Sequence, residues 1–313
     1  MPLPNPFRNS SNLSSKLVKF YDRLSFKIKS EGFLPFAIRI FASKTFLFFE
    51  KYLSLHLTPA HFYSPIPTLS QLDDRVYAKI FSANGVNIDS HQCLEYISSI
   101  AEKYLAEYTP QQGFGLSLVD SFVLYASIRH FRFPFVVEIG AGDTTHIILK
   151  ALDMNSKEGF PSKLCSIEPF PRDDIINIKN SNFDLVISRF EDTDASLFSE
   201  ADFIFIDSSH VSKLNSDVNC QILELLPMVK KQAVIHWHDI VFPRNYWRDW
   251  AHNGNQFWNE SYLLHAFMLF NDSFSVLWPS QYMQTHYPSI LKKIFPFYLD
   301  THRLTSFWIQ RLK

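Results

Sequence analysis

Five short apolar runs, Phe135–Ile139, Leu164–Ile167, Phe183–Ile187, Phe203–Ile206 and Val234–Trp237, recur along the second half of the chain, each ending in polar or acidic residues. Runs of this length suit strands, and their unbroken apolarity means that both sheet faces are covered. Helix-length segments such as Thr144–Met154 and Val218–Val229 separate them. This alternation predicts an α/β fold with a doubly wound, mostly parallel sheet. Two later runs, Phe274–Trp278 and Ser306–Gln310, would add an antiparallel hairpin at its far edge, making seven strands. Ligands in such sheets bind beyond the carboxyl ends of the strands.

Upstream, apolar residues recur at helical intervals from Ser11 to about Leu57, with a break expected at Pro35. The segment Tyr63-Ser64-Pro65-Ile66-Pro67 must be extended, because proline restricts both itself and the residue before it. Helical patterns resume over Leu72–Ile80 and Cys93–Tyr108, and Thr109 to Gly113 reads as a break. The expected division is a helical N-terminal extension, 1–112, and a ligand-binding domain, 113–313. Residues 1–60 hold nine Lys/Arg against three Asp/Glu, leaving 21 basic against 28 acidic residues for the rest.

The overall net charge of −1 argues against a surface tuned to nucleic acid, so a small-molecule or glycan partner is expected. Phe33–Leu57 is interrupted by Arg39, Lys44, Glu50 and Lys51 well before a membrane span could accumulate. Residues 11–57 could instead lie on an anionic membrane surface, or simply pack on the protein. Pro2, Pro4, Pro6 and Arg8 stand where a signal peptide would need apolar residues, and Cys93, Cys165 and Cys220 have no metal-site spacing. A cytoplasmic protein, with peripheral membrane contact as an option, is the expectation; oligomeric state is not legible.

The strand ends carry the chemistry. The first reads Glu138-Ile139-Gly140-Ala141-Gly142-Asp143-Thr144-Thr145, where two glycines let the backbone approach a ligand as a helix begins. Thr145 replaces the third glycine of a dinucleotide fingerprint, which favours a nucleoside without pyrophosphate. Glu168 ends the second run, where a carboxylate can accept from both ribose hydroxyls. Phe190, after the third, could face an adenine ring.

Glu138-Ile139-Gly140-Ala141-Gly142 followed by Glu168 resembles the first two binding motifs of class I S-adenosylmethionine-dependent methyltransferases, which are Rossmann-like. Ile206-Asp207-Ser208-Ser209-His210, Ser216-Asp217-Val218-Asn219, His236-Trp237-His238-Asp239 and Phe257-Trp258-Asn259-Glu260 resemble a largely uncharacterised bacterial subfamily of them, and the likeness spans about residues 61 to 313. It implies S-adenosylmethionine as methyl donor, held by Glu138, Gly140, Ala141, Gly142, Thr144, Thr145, Glu168, Phe190 and Asp207. Asp143-Thr144-Thr145 and Lys231-Gln232 depart from the usual pattern, the second replacing a glycine turn before the fifth strand.

Asp207 and His210 follow the fourth run, and His236, His238 and Asp239 sit at the fifth. For a hydroxyl acceptor, His210 or His238 could be the general base with Asp207 or Asp239 orienting it, and His210 is favoured. Alternatively Asp207, His238 and Asp239 would hold a divalent cation such as magnesium. His236 reads as a core imidazole. Trp258, Asn259 and Glu260 are candidates for acceptor contacts, among the aromatic residues Tyr246, Trp247 and Trp250. The rivals are a non-catalytic nucleoside-binding or membrane-binding protein on the same fold, and an NAD-linked oxidoreductase, for which Tyr-x-x-x-Lys is missing.

Overall fold

The computed structural model describes residues 32–56, 58, 63–110 and 115–313. The helical pattern expected over 11–31 lies outside them. Seven strands form one sheet: β1 (Phe135–Ile139), β2 (Lys163–Ile167), β3 (Phe183–Val186), β4 (Phe203–Ile206), β5 (Val234–Trp237), β6 (Phe274–Pro279) and β7 (Phe307–Arg311). Their order is β3-β2-β1-β4-β5-β7-β6. β1 to β5 pair in parallel, while β7 runs antiparallel to both β5 and β6. The strand order reverses between β1 and β4, which opens a crevice at their carboxyl ends.

Alternate residues of each strand feed two cores. Val136, Leu164, Phe203, Phe205, Val234 and Trp308 pack on one face with the helices Ser90–Tyr104, Leu118–Phe131 and Asp143–Lys157. Val137, Ile139, Ile204, Ile206, Ile235 and Trp237 pack on the other face with Ile222, Leu225 and Leu226. Both faces are therefore covered, as the continuous runs required. Across this second face the expected helix Val218–Val229 is a short α-turn, five residues of wider π-helix (Gln221–Leu225) and a last turn containing Pro227.

The chain divides into compact units at Leu72/Asp73, not near residue 112. The reason lies in the helix Ser90–Tyr104, capped by the Asp89 carboxylate on the His91 and Gln92 N–H groups. It buries Cys93, Ile97, Ile100, Ala101 and Tyr104 in the same core as the sheet, so it cannot be an appendage.

In the first unit one helix runs Phe33–Leu53. Pro35 does not break it, because proline is tolerated in a first turn whose N–H groups have no partner anyway. Leu34, Ile38, Phe41, Phe48 and Tyr52, spaced by three, four or seven residues, are each more than half exposed. Among the described residues no helix is long and apolar enough to cross a membrane.

Candidate active site

A cleft of about 600 Å³ opens at the carboxyl ends of β1, β2 and β4, lined among others by Gly140, Glu168, Phe170, Phe190, Asp207 and Asp217. Its floor depends on Gly140. At φ +90° this residue occupies left-handed backbone space, and a Cβ there would stand 1.8 Å from the Asp207 carbonyl oxygen. β1 and β4 can therefore close together only around a glycine. At Gly142, by contrast, a Cβ would meet nothing within 4 Å, so the helix N-terminus faces open space.

Glu138 plays a different part from the one expected. It is fully buried and takes hydrogen bonds from Thr144 Oγ1 (2.7 Å), Thr145 Oγ1 (2.7 Å) and Ser166 Oγ (2.5 Å). Thr145 Oγ1 also accepts the Gly142 N–H at 3.0 Å. Glu138, Thr144 and Thr145 thus brace the glycine loop from beneath and do not face the cleft, which gives the two threonines of the departing segment a structural role. The other departure is accommodated as well: Gln232 adopts φ 71°, the left-handed turn usually made by glycine. That conformation costs a non-glycine residue roughly 1–2 kcal/mol.

Burial raises the Glu138 carboxyl to about 7, more than its three hydroxyl donors lower it. A folded-state value above the ordinary 4.5 means that folding takes up a proton between about pH 5 and 7. Stability should therefore fall as pH rises through that window, by on the order of 3 kcal/mol. Glu138→Gln cannot ionise and should flatten this part of the curve, read as urea midpoints across the same window. Parallel curves for the two proteins would show that the carboxyl is ionised throughout.

Of the other expected cofactor contacts, Glu168 stands half-buried at the end of β2, accepting the Phe170 N–H at 2.8 Å. Phe190 lines the cleft while its ring packs on Phe198. Ala141 is half-buried in the glycine loop.

Next to the cleft, two carboxylates and two imidazoles alternate in a ring. His210 Nε2 lies 3.2 Å from Asp207 Oδ1 and 3.5 Å from Asp239 Oδ2. His238 Nδ1 lies 3.6 Å from Asp207 Oδ2 and 3.5 Å from Asp239 Oδ1. His210 and Asp239 both adopt positive φ, 58° and 56°, a strain that persists only where the surroundings impose it. Each imidazole is fixed from behind: His210 Nδ1 hydrogen-bonds Glu260 Oε2 at 2.8 Å, and His238 Nε2 meets Thr305 Oγ1 at 3.1 Å. Thr305 in turn donates its N–H to the buried Asp120.

Burial alone would raise the Asp207 carboxyl, but His238 and His210 outweigh it and hold the group well below the usual range. Burial would lower both imidazoles; Asp207 and Glu260 instead lift His210 well above its ordinary value, and Asp239 and Asp207 lift His238 to about 9. Asp207, His238 and Asp239 also offer one ligand atom each within 4.8 Å of one another. His238 Nδ1 is buried without a hydrogen-bond partner while its other nitrogen is anchored, the usual posture of a metal-ligating histidine. These donors fit a divalent cation.

The residues expected to meet the acceptor each have a partner within the protein. Glu260 is 1% exposed and supports His210. Asn259 clips the backbone of Ser212, accepting its N–H at 2.6 Å. Trp258 packs against the His210 ring at 4.4 Å. His236 is a core imidazole between Phe205 and Trp308, its pKa depressed by burial and neither nitrogen hydrogen-bonded. Thr305 and Asp120 were missed as site residues, since nothing local marks a threonine 67 positions from the histidine it touches.

Residues 137–240, from within β1 to just past β5, match a family model described as a methyltransferase domain. A protein of Archaeoglobus fulgidus, described only as uncharacterized, is 28% identical over 161 residues, 45% of this chain and 71% of its own length. Similar solved structures include the SAH-bound methyltransferase PaMTH1 of Podospora anserina (14% identity, 80% of this chain and 99% of that one, TM-score 0.42). Another is the O-methyltransferase TomG of Streptomyces achromogenes with SAM (12% identity, 74% and 93%, TM-score 0.41). The matched segment contains the glycine loop, Glu168 and all four members of the acid–imidazole ring, so the chain carries its candidate site within a methyltransferase domain.

Proposed function

We propose that the enzyme methylates a hydroxyl group of a small molecule or glycan. The observation that supports this most is the double position of Asp207, which lines the cofactor cleft and is also a corner of the acid–imidazole ring. A hydroxyl, unlike an amine, must shed a proton that is held tightly, so a proton-accepting cluster beside the methyl donor suits oxygen. Bound in the cleft, S-adenosylmethionine would supply a methyl group on a positively charged sulfur. The protein aligns the acceptor with that methyl and excludes water, which is where most of the acceleration in such a transfer arises. Glu260 fixes the tautomer and direction of His210, leaving Nε2 toward the ring and the incoming hydroxyl.

A divalent cation on Asp207, His238 and Asp239 is a second reading, favoured by the buried His238 Nδ1, which makes no hydrogen bond and faces both carboxylates. Bound there, it would acidify the hydroxyl as a Lewis acid. Isothermal titration with S-adenosylhomocysteine, with and without magnesium, tests both readings. We expect saturable micromolar binding, lost in Glu168→Ala and Gly142→Asp, and a gain with magnesium if the cation is part of the site. No binding in either condition would move the non-catalytic reading to first place.

The exposed apolar face of Phe33–Leu53, in a basic stretch of the chain, further supports peripheral contact with an anionic membrane. The protein should co-sediment with phosphatidylserine-containing vesicles and not with phosphatidylcholine alone. The triple change Ile38→Ser, Phe41→Ser, Phe48→Ser should reduce binding at least tenfold; equal sedimentation with both vesicles would refute it.

A further inference from the structure

A second cavity of about 500 Å³ lies at the same end of the sheet, apart from the cofactor cleft, and its lining includes Arg244, Trp247, Gln281, Gln284, Tyr298 and Arg303. Its place follows from the topology. β6 runs parallel to β5 because both are antiparallel to β7, and Phe307 pairs with Trp237 on one side and Pro279 on the other. The loop after β5, which carries Arg244 and Trp247, and the helix Ser280–His286 after β6 therefore emerge at the carboxyl end where the ring of acids and histidines sits. The link to that ring is short. Gln284 Oε1 accepts the Leu304 N–H at 3.3 Å, and the next residue, Thr305, is the one that touches His238.

The polar groups of this cavity are unequally satisfied. Arg303 is held by both oxygens of Asp249 at 2.8 Å and lies 4.9 Å over the Trp247 ring, and Asp300 pairs with Lys292. Arg244 has no carboxylate partner among the described residues; its guanidinium contacts only Thr285 Oγ1, at 3.2 Å through Nε. Gln281 is 6% exposed, and its Oε1 has no donor. A guanidinium with no counter-charge, beside an amide oxygen with no donor, leaves one site for an anion and one for a hydroxyl. Trp247 and Tyr298 supply an aromatic wall of the kind that accepts a sugar ring.

We propose that this cavity is an acceptor-binding subsite for a sugar bearing an anionic group, with Arg244 taking the anion and Gln281 a ring hydroxyl. It rests on the reading above that the acceptor carries hydroxyls, and it makes Arg244 and Gln281 binding residues without a part in proton transfer.

Titration of the full chain with glucose 1-phosphate, glucuronate, inorganic phosphate and glucose tests it, with S-adenosylhomocysteine binding measured on every variant. We expect glucose 1-phosphate or glucuronate to bind at least tenfold more tightly than phosphate or glucose, and which of the two wins separates a phosphate from a carboxylate. Arg244→Gln should weaken both anionic sugars at least tenfold. Gln281→Leu should reduce them to the level of phosphate while leaving phosphate unchanged. Cofactor affinity should be the same in both variants. Equal affinity in Arg244→Gln and the parent protein, or binding of none of the four probes, overturns the subsite. Sugar binding without cofactor binding would instead remove the methyl-transfer reading and leave the subsite standing.

Discussion

Gly140→Ala is expected to cost on the order of 3–5 kcal/mol of folding stability, which for many proteins is most of what they have. Two penalties combine. The added Cβ would meet the Asp207 carbonyl oxygen at 1.8 Å, and the residue sits at φ +90°, which side chains with a Cβ rarely adopt. Relief requires β1 and β4 to separate, yet Gly140 donates to Ile167 O and Asp207 donates to Ile139 O, so both neighbours of the loop are tied. Gly142→Ala, two residues on, meets no atom and should unfold near the parent midpoint. Denaturant midpoints of the two variants make the comparison, and equal stabilities would show that the close approach of the two strand ends does not exist.

His210→Ala is expected to lower turnover by about 10²–10⁴ while leaving S-adenosylhomocysteine affinity unchanged, the range typical of losing a positioned acid–base group. The ring geometry makes the loss specific. With His210 gone, Asp207 and Asp239 lose the imidazole between them, and buried Glu260 is left with no partner for Oε2. Glu260→Gln should reproduce much of the defect, since an amide at that position no longer favours the N–H tautomer at Nδ1. Binding measured by titration and turnover followed with a set of hydroxylated acceptors would separate the two effects. Normal turnover in His210→Ala would remove it from the reaction and leave His238 and the aspartates as the working groups.

Strands and strand ends were legible in the sequence because a buried parallel strand has few ways to be written. Three of the five runs, Phe135–Ile139, Phe203–Ile206 and Val234–Trp237, match their strands residue for residue, and the other two differ by one residue. Direction of the side chains was not legible. Glu138 is in a cofactor motif by position, yet strand alternation turns it into the core, where only three hydroxyls from Thr144, Thr145 and Ser166 reveal its use. Glu260 was expected at the acceptor as a polar group among aromatic residues after the fifth strand, and nothing along the chain marks that it reaches His210, 50 positions away. The domain boundary failed because Thr109 to Gly113 carries the composition of a linker while the helix before it has a five-residue apolar face that needs a partner.

The position of β7 has a consequence for the order in which this enzyme can be made. It comes last among the strands in the chain, yet it lies inside the sheet between β5 and β6. Until residues 304–311 have left the ribosome, β5 has an open edge and β6 has no neighbour, and His238 lacks the Thr305 hydroxyl that anchors it. The glycine loop and Glu168 belong to strands completed more than a hundred residues earlier in synthesis. A nascent chain could thus assemble the cleft at the ends of β1, β2 and β4 well before His238 gains its anchor, so the acid–imidazole ring is completed only when the last strand of the sheet joins it.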